Sequence, residues 1–339
     1  MMSQRDDEEN SINNNNNNVD IIINDSNDNI KPLFFVLKIL YNSLEFFPRN
    51  KRISISIFAL LTLPLSYLIF SFSLSARPIK AHIYHLEALA RFAPTRFEAR
   101  HVWKESRTEA ISLLRLRLLY FLPSYSLSLL SAITAVVSSH SSSSAGKRLS
   151  LRAALSHARL SWKRPLVTTI CIYAVLLLYT QVVSFVAVVS GNAIGSRMLV
   201  WVIGLVLEIY VMAVTGVGLV VSVLEDRFGF DAIRVGSDIM EKRRLCGWVL
   251  TSWFVVVSGL IGWKWERMLV TMMDGNAHYR GKEQWTVVIG GLEKLVLIVL
   301  YGIAVLWSYV VTTVFYCECR KRHVITTQND SNIVAVQLL

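Results

Sequence analysis

Charge is scarce in this chain. Asp, Glu, Lys and Arg make up 17% of its 339 residues, where a soluble globular chain carries about 25%. Cysteine is scarcer still. Cys171, Cys246, Cys317 and Cys319 are the whole complement, too few and too unevenly spaced for a disulfide framework. Cys171 lies inside an apolar run and the other three lie near basic residues, which fits a reducing, cytosolic face. The signatures of soluble catalysis are missing too. There is no Gly-x-Ser-x-Gly and no His-Glu-x-x-His. Gly146-Lys147-Arg148 lacks the upstream glycine that a phosphate cradle needs. His82 and His85 can share a helical face, with Glu87 nearby, but two imidazoles do not complete a zinc site. No metal, no cofactor and no enzymatic activity are therefore expected. The N-terminus lacks a basic region followed by an apolar stretch, so no cleaved signal peptide is expected. The first membrane span is expected to act as the signal.

What the chain has in excess is apolar residues in long runs. Hydrophobic residues reach 53%, and the mean hydropathy is +0.44. A helix rises 1.5 Å per residue, so about 20 residues cross a hydrocarbon core of roughly 30 Å. Six runs have about this length: Ile53–Ala76, about Leu118–Ser138, Leu166–Ser190, Met198–Leu224, Leu245–Trp263 and about Leu295–Tyr316. Backbone polar groups cannot go unpaired in lipid, so the runs are predicted to be helices. Pro64 and Pro123 predict kinks in the first two. Trp162, Trp201, Trp248, Trp263, Trp265 and Trp285 lie near run ends, as an aromatic belt at the headgroups would. Small residues four apart, Gly218 with Ser222 and Ser258 with Gly262, suit close helix packing within the molecule.

The net charge of +11 is unevenly spread. Residues 1–30 sum to −6 and contain ten Asn. Such a segment cannot bury enough apolar surface to offset its ordering entropy, so it is predicted to be disordered. The rest of the chain is strongly basic. Its bases cluster at the ends of apolar runs, where membrane orientation explains them, and nucleic-acid binding is not expected.

The basic clusters follow a repeat. PLFFVLKILYNSLEFFPRNKR (32–52) precedes the first run and ends in Arg49, Lys51 and Arg52. LSLRAALSHARLSWKRP (149–165) precedes the third and carries Lys163 and Arg164. GFDAIRVGSDIMEKRR (229–244) precedes the fifth and ends in Lys242, Arg243 and Arg244. Each unit reads as an amphipathic helix, a basic cluster and a helical hairpin. The amphipathic helix is expected in the interface, its apolar face in the acyl boundary. The basic cluster is expected at anionic headgroups of the cytosolic leaflet, each charge worth about 1 kcal/mol there. Both termini then face the cytosol, with 19 bases inside and 15 outside from Lys31 onward. Nine of the outside bases fall between Arg77 and Arg117, which is either a helical cap on the outer face or the mark of the inverse topology, with both termini outside.

Two segments carry a resemblance. IYHLEALARFAPTRFEARHVWKESR (83–107) and GFDAIRVGSDIMEKRR (229–244) resemble a plant-specific family of six-span membrane proteins, over roughly residues 31–320. The pattern Ala-Ile-x-x-Gly-Ser-x-x-Met-x-x-Arg-Arg in the second is also similar to helices preceding hairpins in bacterial multi-pass domains. One example is the membrane domain attached to some glycerophosphodiester phosphodiesterases. Neither resemblance implies catalytic residues, because the phosphodiesterase chemistry belongs to a separate soluble domain.

Two further features suggest function. Glu208 lies about ten residues into the fourth run, where a charge costs about 2.5–3.5 kcal/mol. It is a candidate proton or cation site, or a protonated carboxyl bonded to a neighbour such as Tyr210 or Gln181. Cys317 and Cys319 follow the last run beside Arg320, Lys321 and Arg322, a setting suited to S-acylation. The sequence therefore describes an all-α integral membrane protein with six transmembrane helices in three hairpins and interfacial amphipathic helices between them. Residues 1–30 form a tail, 31–322 the membrane domain and 323–339 a C-terminal tail. The expected function is a non-enzymatic membrane organiser or interaction protein of the endomembrane system or plasma membrane. Its expected partners are anionic lipid headgroups and other membrane proteins. The alternative is a small-solute or ion transporter using Glu208.

Overall fold

A computed structural model describes residues 32–92, 96–145, 151–190, 194–275 and 284–337. The Asn-rich segment expected to be disordered lies outside these residues. The described residues are helical almost throughout and contain no strand. The elements are α1 (Pro32–Arg49), α2 (Lys51–Ile57), a π-turn (Phe58–Thr62), α3 (Leu63–Phe92), α4 (Arg96–Ala145), α5 (Leu151–Ser161), α6 (Lys163–Val189), α7 (Ile194–Leu224), α8 (Gly229–Met240), α9 (Arg244–Gly275) and α10 (Gln284–Gln337). A 3₁₀ turn, Glu241–Arg243, links α8 to α9. Six stretches are long and apolar enough to cross a membrane: Lys51–Ala90, Arg100–Ser142, Lys163–Val189, Gly195–Leu224, Arg244–Thr271 and Gly291–Lys321. They coincide with the six runs, and the protein is an all-α multi-pass membrane protein.

The first two spans overrun the bilayer. The segment from Arg77 to Arg117 is no separate cap. It is the continuation of α3 to Phe92 and the start of α4 at Arg96, so that both helices project together. Sixteen residues, 77–92, project by about 24 Å. The projection is anchored at its base, where Ser71 and Tyr120 share a hydrogen bond of 3.2 Å and Arg77 approaches Glu266 at 3.9 Å. Leu86 and Ser106 are buried along it. At the other end of the chain, α10 continues through Gln337, so the segment expected as a C-terminal tail prolongs the last helix.

The two prolines act differently. Before Pro64 the helix widens into the π-turn, and the Leu63 amide reaches back five residues to the Phe58 carbonyl. The Thr62 hydroxyl donates to the same carbonyl at 3.1 Å. A π-bulge before a proline is a recognised way to absorb the missing donor and the ring clash. Pro123 lies within an uninterrupted α4, where the Ser124 hydroxyl donates to the Tyr120 carbonyl.

The even-numbered spans α4, α7 and α10 touch one another at the centre of the bundle. Their facing surfaces supply much of the main core: Ile133 and Val136 from α4, Val217 and Val221 from α7, Val311 and Phe315 from α10. Small hydroxyl residues share this core, and most are satisfied within their own helix, whereas Ser131 of α4 is buried without a partner. Thr134 donates to the Leu130 carbonyl, Thr215 to Val211 and Thr313 to Tyr309, each at 2.8 Å. Such pairing lets polar side chains pass through apolar surroundings without an orphaned donor.

Each of the three amphipathic helices packs on protein and covers a hairpin from another repeat unit. The second unit's α5 lies on α4 and α2 of the first hairpin, and the third unit's α8 lies on α6 and α7 of the second. The first unit's α1 lies on α9 and α10 of the third, closing the cycle. Along α1 the buried positions Phe35, Val36, Ile39, Ser43 and Phe46 follow helical spacing. The Trp307 indole of α10 donates to the Ser43 hydroxyl at 2.9 Å. Phe34, Leu37, Tyr41 and Leu44 stay exposed on the other side. Lipid is as apolar as leucine, so packing closeness, not release from water, decides which surface an apolar helix face prefers.

The closest approach is between α7 and α8. A Cβ placed on Gly236 would lie 2.8 Å from the Gly218 backbone nitrogen, and one on Gly218 would lie 2.9 Å from the Ile233 Cα. The Gly218–Ser222 pair thus serves internal packing, as its spacing suggests. The Ser258–Gly262 pair does not, since nothing lies within 4 Å of a Cβ on Gly262. Gly229 starts α8 at φ +64°, a conformation that favours glycine, and its amide donates to Thr168 of α6 at 2.9 Å. Gly236→Ala should clash with fixed backbone and cost on the order of 1–3 kcal/mol. A thermal-unfolding scan by size-exclusion chromatography in detergent should show a clearly lower midpoint for Gly236→Ala and an unchanged one for Gly262→Ala.

Candidate functional site

Sequence reasoning singled out three basic clusters separated by some 80 residues or more each. The alternation of the spans carries them to one end of the bundle. Contacts across that end tie the segments together. Asn50 donates to the Ser142 hydroxyl at 2.7 Å, joining the start of the first span to the end of the second. Arg164 pairs with Asp226, joining the third span to the exit of the fourth. Glu225 accepts from the Tyr316 hydroxyl at 2.5 Å and from the Arg320 guanidinium, joining the fourth span to the sixth.

The bases at this end divide by partner. Arg164 is paired with Asp226, Arg244 with Glu241 at 3.2 Å and Arg227 with Asp231 at 2.9 Å. Arg243 is half-buried, its guanidinium carbon 3.7 Å from the centre of the Phe35 ring, which is cation–π range. It therefore helps seat α1 on the third unit. Among the described residues, Arg49, Lys51, Arg52, Lys163 and Lys321 beside the spans, and Lys38, Arg159 and Arg234 on the amphipathic helices, are exposed and have no ion-pair partner. These eight are free to meet an external anion. The side chains of Lys242 and Arg322 lie outside the described residues. The Glu225–Arg320–Tyr316 network and Lys321 were not foreseen as site residues. Their signal in the sequence was the acid directly after the fourth run, facing the basic residues after the sixth.

Glu208 lies on α7, half-buried, with no hydrogen bond or ion pair among the described residues. Neither Tyr210 nor Gln181 bonds to it. Tyr179 on α6 is an electrostatic neighbour, and its hydroxyl is already committed to the Gly204 carbonyl at 2.6 Å. A cavity of about 280 Å³ opens between α7, α9 and α10, lined by apolar residues with Thr251, Ser258, Ser308 and Thr312 among them. Glu208 does not line it. The cavity begins one helical turn away, at Met212.

The two cysteines after the last run differ. Cys319 is buried in the main core, and Cys317 is partly exposed. Burial withdraws Cys319 from modification and leaves Cys317 as the accessible thiol. The tryptophans also divide. Trp162, Trp201 and Trp263 are exposed, as a belt requires, whereas Trp265 is buried against Phe70, ring centres 4.5 Å apart. Trp248 donates to the Val206 carbonyl at 3.2 Å, bridging α9 to α7. The side chain of Trp285 lies outside the described residues. Among the described residues no group of three His, Cys, Asp or Glu could hold a metal ion.

Residues 24–331 match a family described as a domain of unknown function, DUF8558. The chain belongs to this family. No curated protein matches it, and no solved structure does. The match spans all six membrane helices and all three amphipathic helices, so the cyclic arrangement lies wholly within the family's domain.

The difference in burial between the thiols is directly testable. Hydroxylamine-sensitive acyl labelling of the protein in cells should be lost in Cys317→Ser and retained in Cys319→Ser. Loss only in Cys319→Ser would contradict the burial order.

Proposed function

We propose that this protein is a non-enzymatic membrane organiser that recruits anionic lipid headgroups, and through them or beside them membrane protein partners, at its basic end. One observation carries this reading: the exposed, unpaired cations Arg49, Lys51, Arg52, Lys163 and Lys321 share the end at which the amphipathic helices sit. Each charge near an anionic leaflet contributes about 1 kcal/mol, so five together suffice for preferential lipid retention. The positive-inside rule puts that end in the cytosol, in the endomembrane system or at the plasma membrane. The likeness of the 229–244 segment to helices preceding bacterial membrane hairpins fits a domain that works in the membrane without chemistry of its own. The likeness to a plant-specific six-span family covers the same residues.

The test uses the full-length chain in nanodiscs of mixed phosphatidylcholine and phosphatidylserine, with retained lipid read by native mass spectrometry. Wild type should retain anionic lipid selectively. The charge-neutral variant Arg49→Gln/Lys51→Gln/Arg52→Gln/Lys163→Gln should lose most of that selectivity. Equal retention by both would overturn the proposal.

A second reading rests on Glu208. An unpaired carboxyl in the middle of a span is costly and is characteristic of proton and cation pathways. On this reading the protein is a small-solute or ion transporter, and Glu208→Gln abolishes proton-coupled flux in proteoliposomes while leaving the anionic-lipid retention intact. Unchanged flux in Glu208→Gln would remove Glu208 from any pathway.

A further inference from the structure

Helix α6 is the least buried of the spans. Its inward positions, Thr168, Ile172, Tyr179, Val183 and Ala187, pack or half-pack at helical spacing, and Val183 meets Gly204 of α7. The opposite face is open. Ala174, Leu178, Gln181, Phe185 and Val188 are all exposed on it. These positions follow a four-three-four-three spacing, the seven-residue repeat of a helix seam that packs against another helix.

Gln181 is the anomaly in this stripe. It lies fifteen residues after Leu166, the start of the apolar run, or about 22 Å along the helix and therefore still within a hydrocarbon core of roughly 30 Å. Neighbouring Thr180 satisfies its hydroxyl on the Leu177 carbonyl at 2.9 Å. The Gln181 amide has two donors and an acceptor, yet no partner among the described residues. Lipid offers it none, and the inward face of the helix is already engaged with α7.

We propose that the outward face of α6 is a self-association surface, and that it pairs with α6 of a second copy of this chain around Gln181. The stripe selects a copy of itself for three reasons. A primary amide donates and accepts, so two Gln181 side chains across a two-fold axis satisfy one another reciprocally. The stripe carries no charge, so a like surface meets no repulsion. Two copies inserted in the same orientation present α6 in parallel, which places each stripe position opposite its equivalent, the geometry of a parallel seven-residue seam. A single polar residue in such a seam fixes register and partner number, a role attested for buried amides in coiled coils.

The test uses the full-length chain labelled with one fluorophore, reconstituted in phosphatidylcholine vesicles over a range of protein-to-lipid ratios, with stoichiometry read by single-molecule photobleaching. A dimer is expected, and Gln181→Leu should weaken it about thirtyfold, since each interhelical polar bond in a membrane is worth on the order of 1 kcal/mol and the pair makes two. Gln181→Asn, which keeps the amide, should retain more of the dimer than Gln181→Leu. Val188→Cys should cross-link to itself under mild oxidation, and Val183→Cys, on the inward face, should not. Gln181→Leu removes a polar group from lipid, so its folding is not at risk, and a normal size-exclusion profile verifies this. A wild-type monomer at every ratio would overturn the proposal. So would a dimer indifferent to Gln181→Leu, or cross-linking of Val188→Cys only to a different protein.

Discussion

Three amphipathic helices, each laid on a hairpin from another repeat unit, determine how the six spans sit together. Within hydrocarbon there is no water to release, so two apolar spans gain little from mere contact. Cohesion has to come from close packing and from satisfied polar groups. The α7–α8 crossing shows the first, with Gly218 and Gly236 in backbone contact. The Trp307–Ser43 bond shows the second, at the point where the first unit closes onto the last. Each unit thus depends on another for its cover. Two spans per unit return the chain to the same side each time, so the basic clusters, which sit between each amphipathic helix and its own hairpin, gather at one end.

The centre of the bundle follows from the same scarcity of driving force. The even-numbered spans meet through valine, alanine and small hydroxyl residues. Small side chains bring the helix axes close, and self-satisfied hydroxyls avoid the desolvation that would otherwise make polar atoms costly. The odd-numbered spans sit outside this group. Helix α6 is the extreme case, with one face on α7 and α8 and the other open to its surroundings.

Charge is distributed with equal economy. Arg164, Arg227, Arg244 and Arg320 are held by acids of the same end, and Arg243 is seated on an aromatic ring. The bases beside the first span are not. That asymmetry separates charges that fix the fold from charges that remain for a partner. The projecting hairpin formed by α3 and α4 carries the nine outward bases that membrane orientation does not explain. Its pairing of Arg77 with Glu266 shows one of them used to brace the projection against the fifth span.

Much of this was legible in the sequence, and the limits have a physical cause. Run length fixed the number and place of the spans, because bilayer thickness and the need to pair every backbone group act residue by residue. Pro64 marked the π-turn, and Gly218 marked the close crossing. The repeat of helix, cluster and hairpin was visible as pattern. Which surface covers each amphipathic helix was not. An apolar face with helical period looks the same whether lipid or protein will meet it, since both are apolar. For that reason Cys319 read as juxtamembrane and proved buried, Trp265 read as a belt residue and proved to be core, and Ser258–Gly262 read as a packing pair and proved open. The sequence alone determined the class, the spans and the basic punctuation, all of which the bilayer imposes locally. Only the tertiary structure decided the cyclic order of the units, the partners of each charge and the isolation of Glu208 and Gln181, because those depend on which apolar surfaces fit one another most closely.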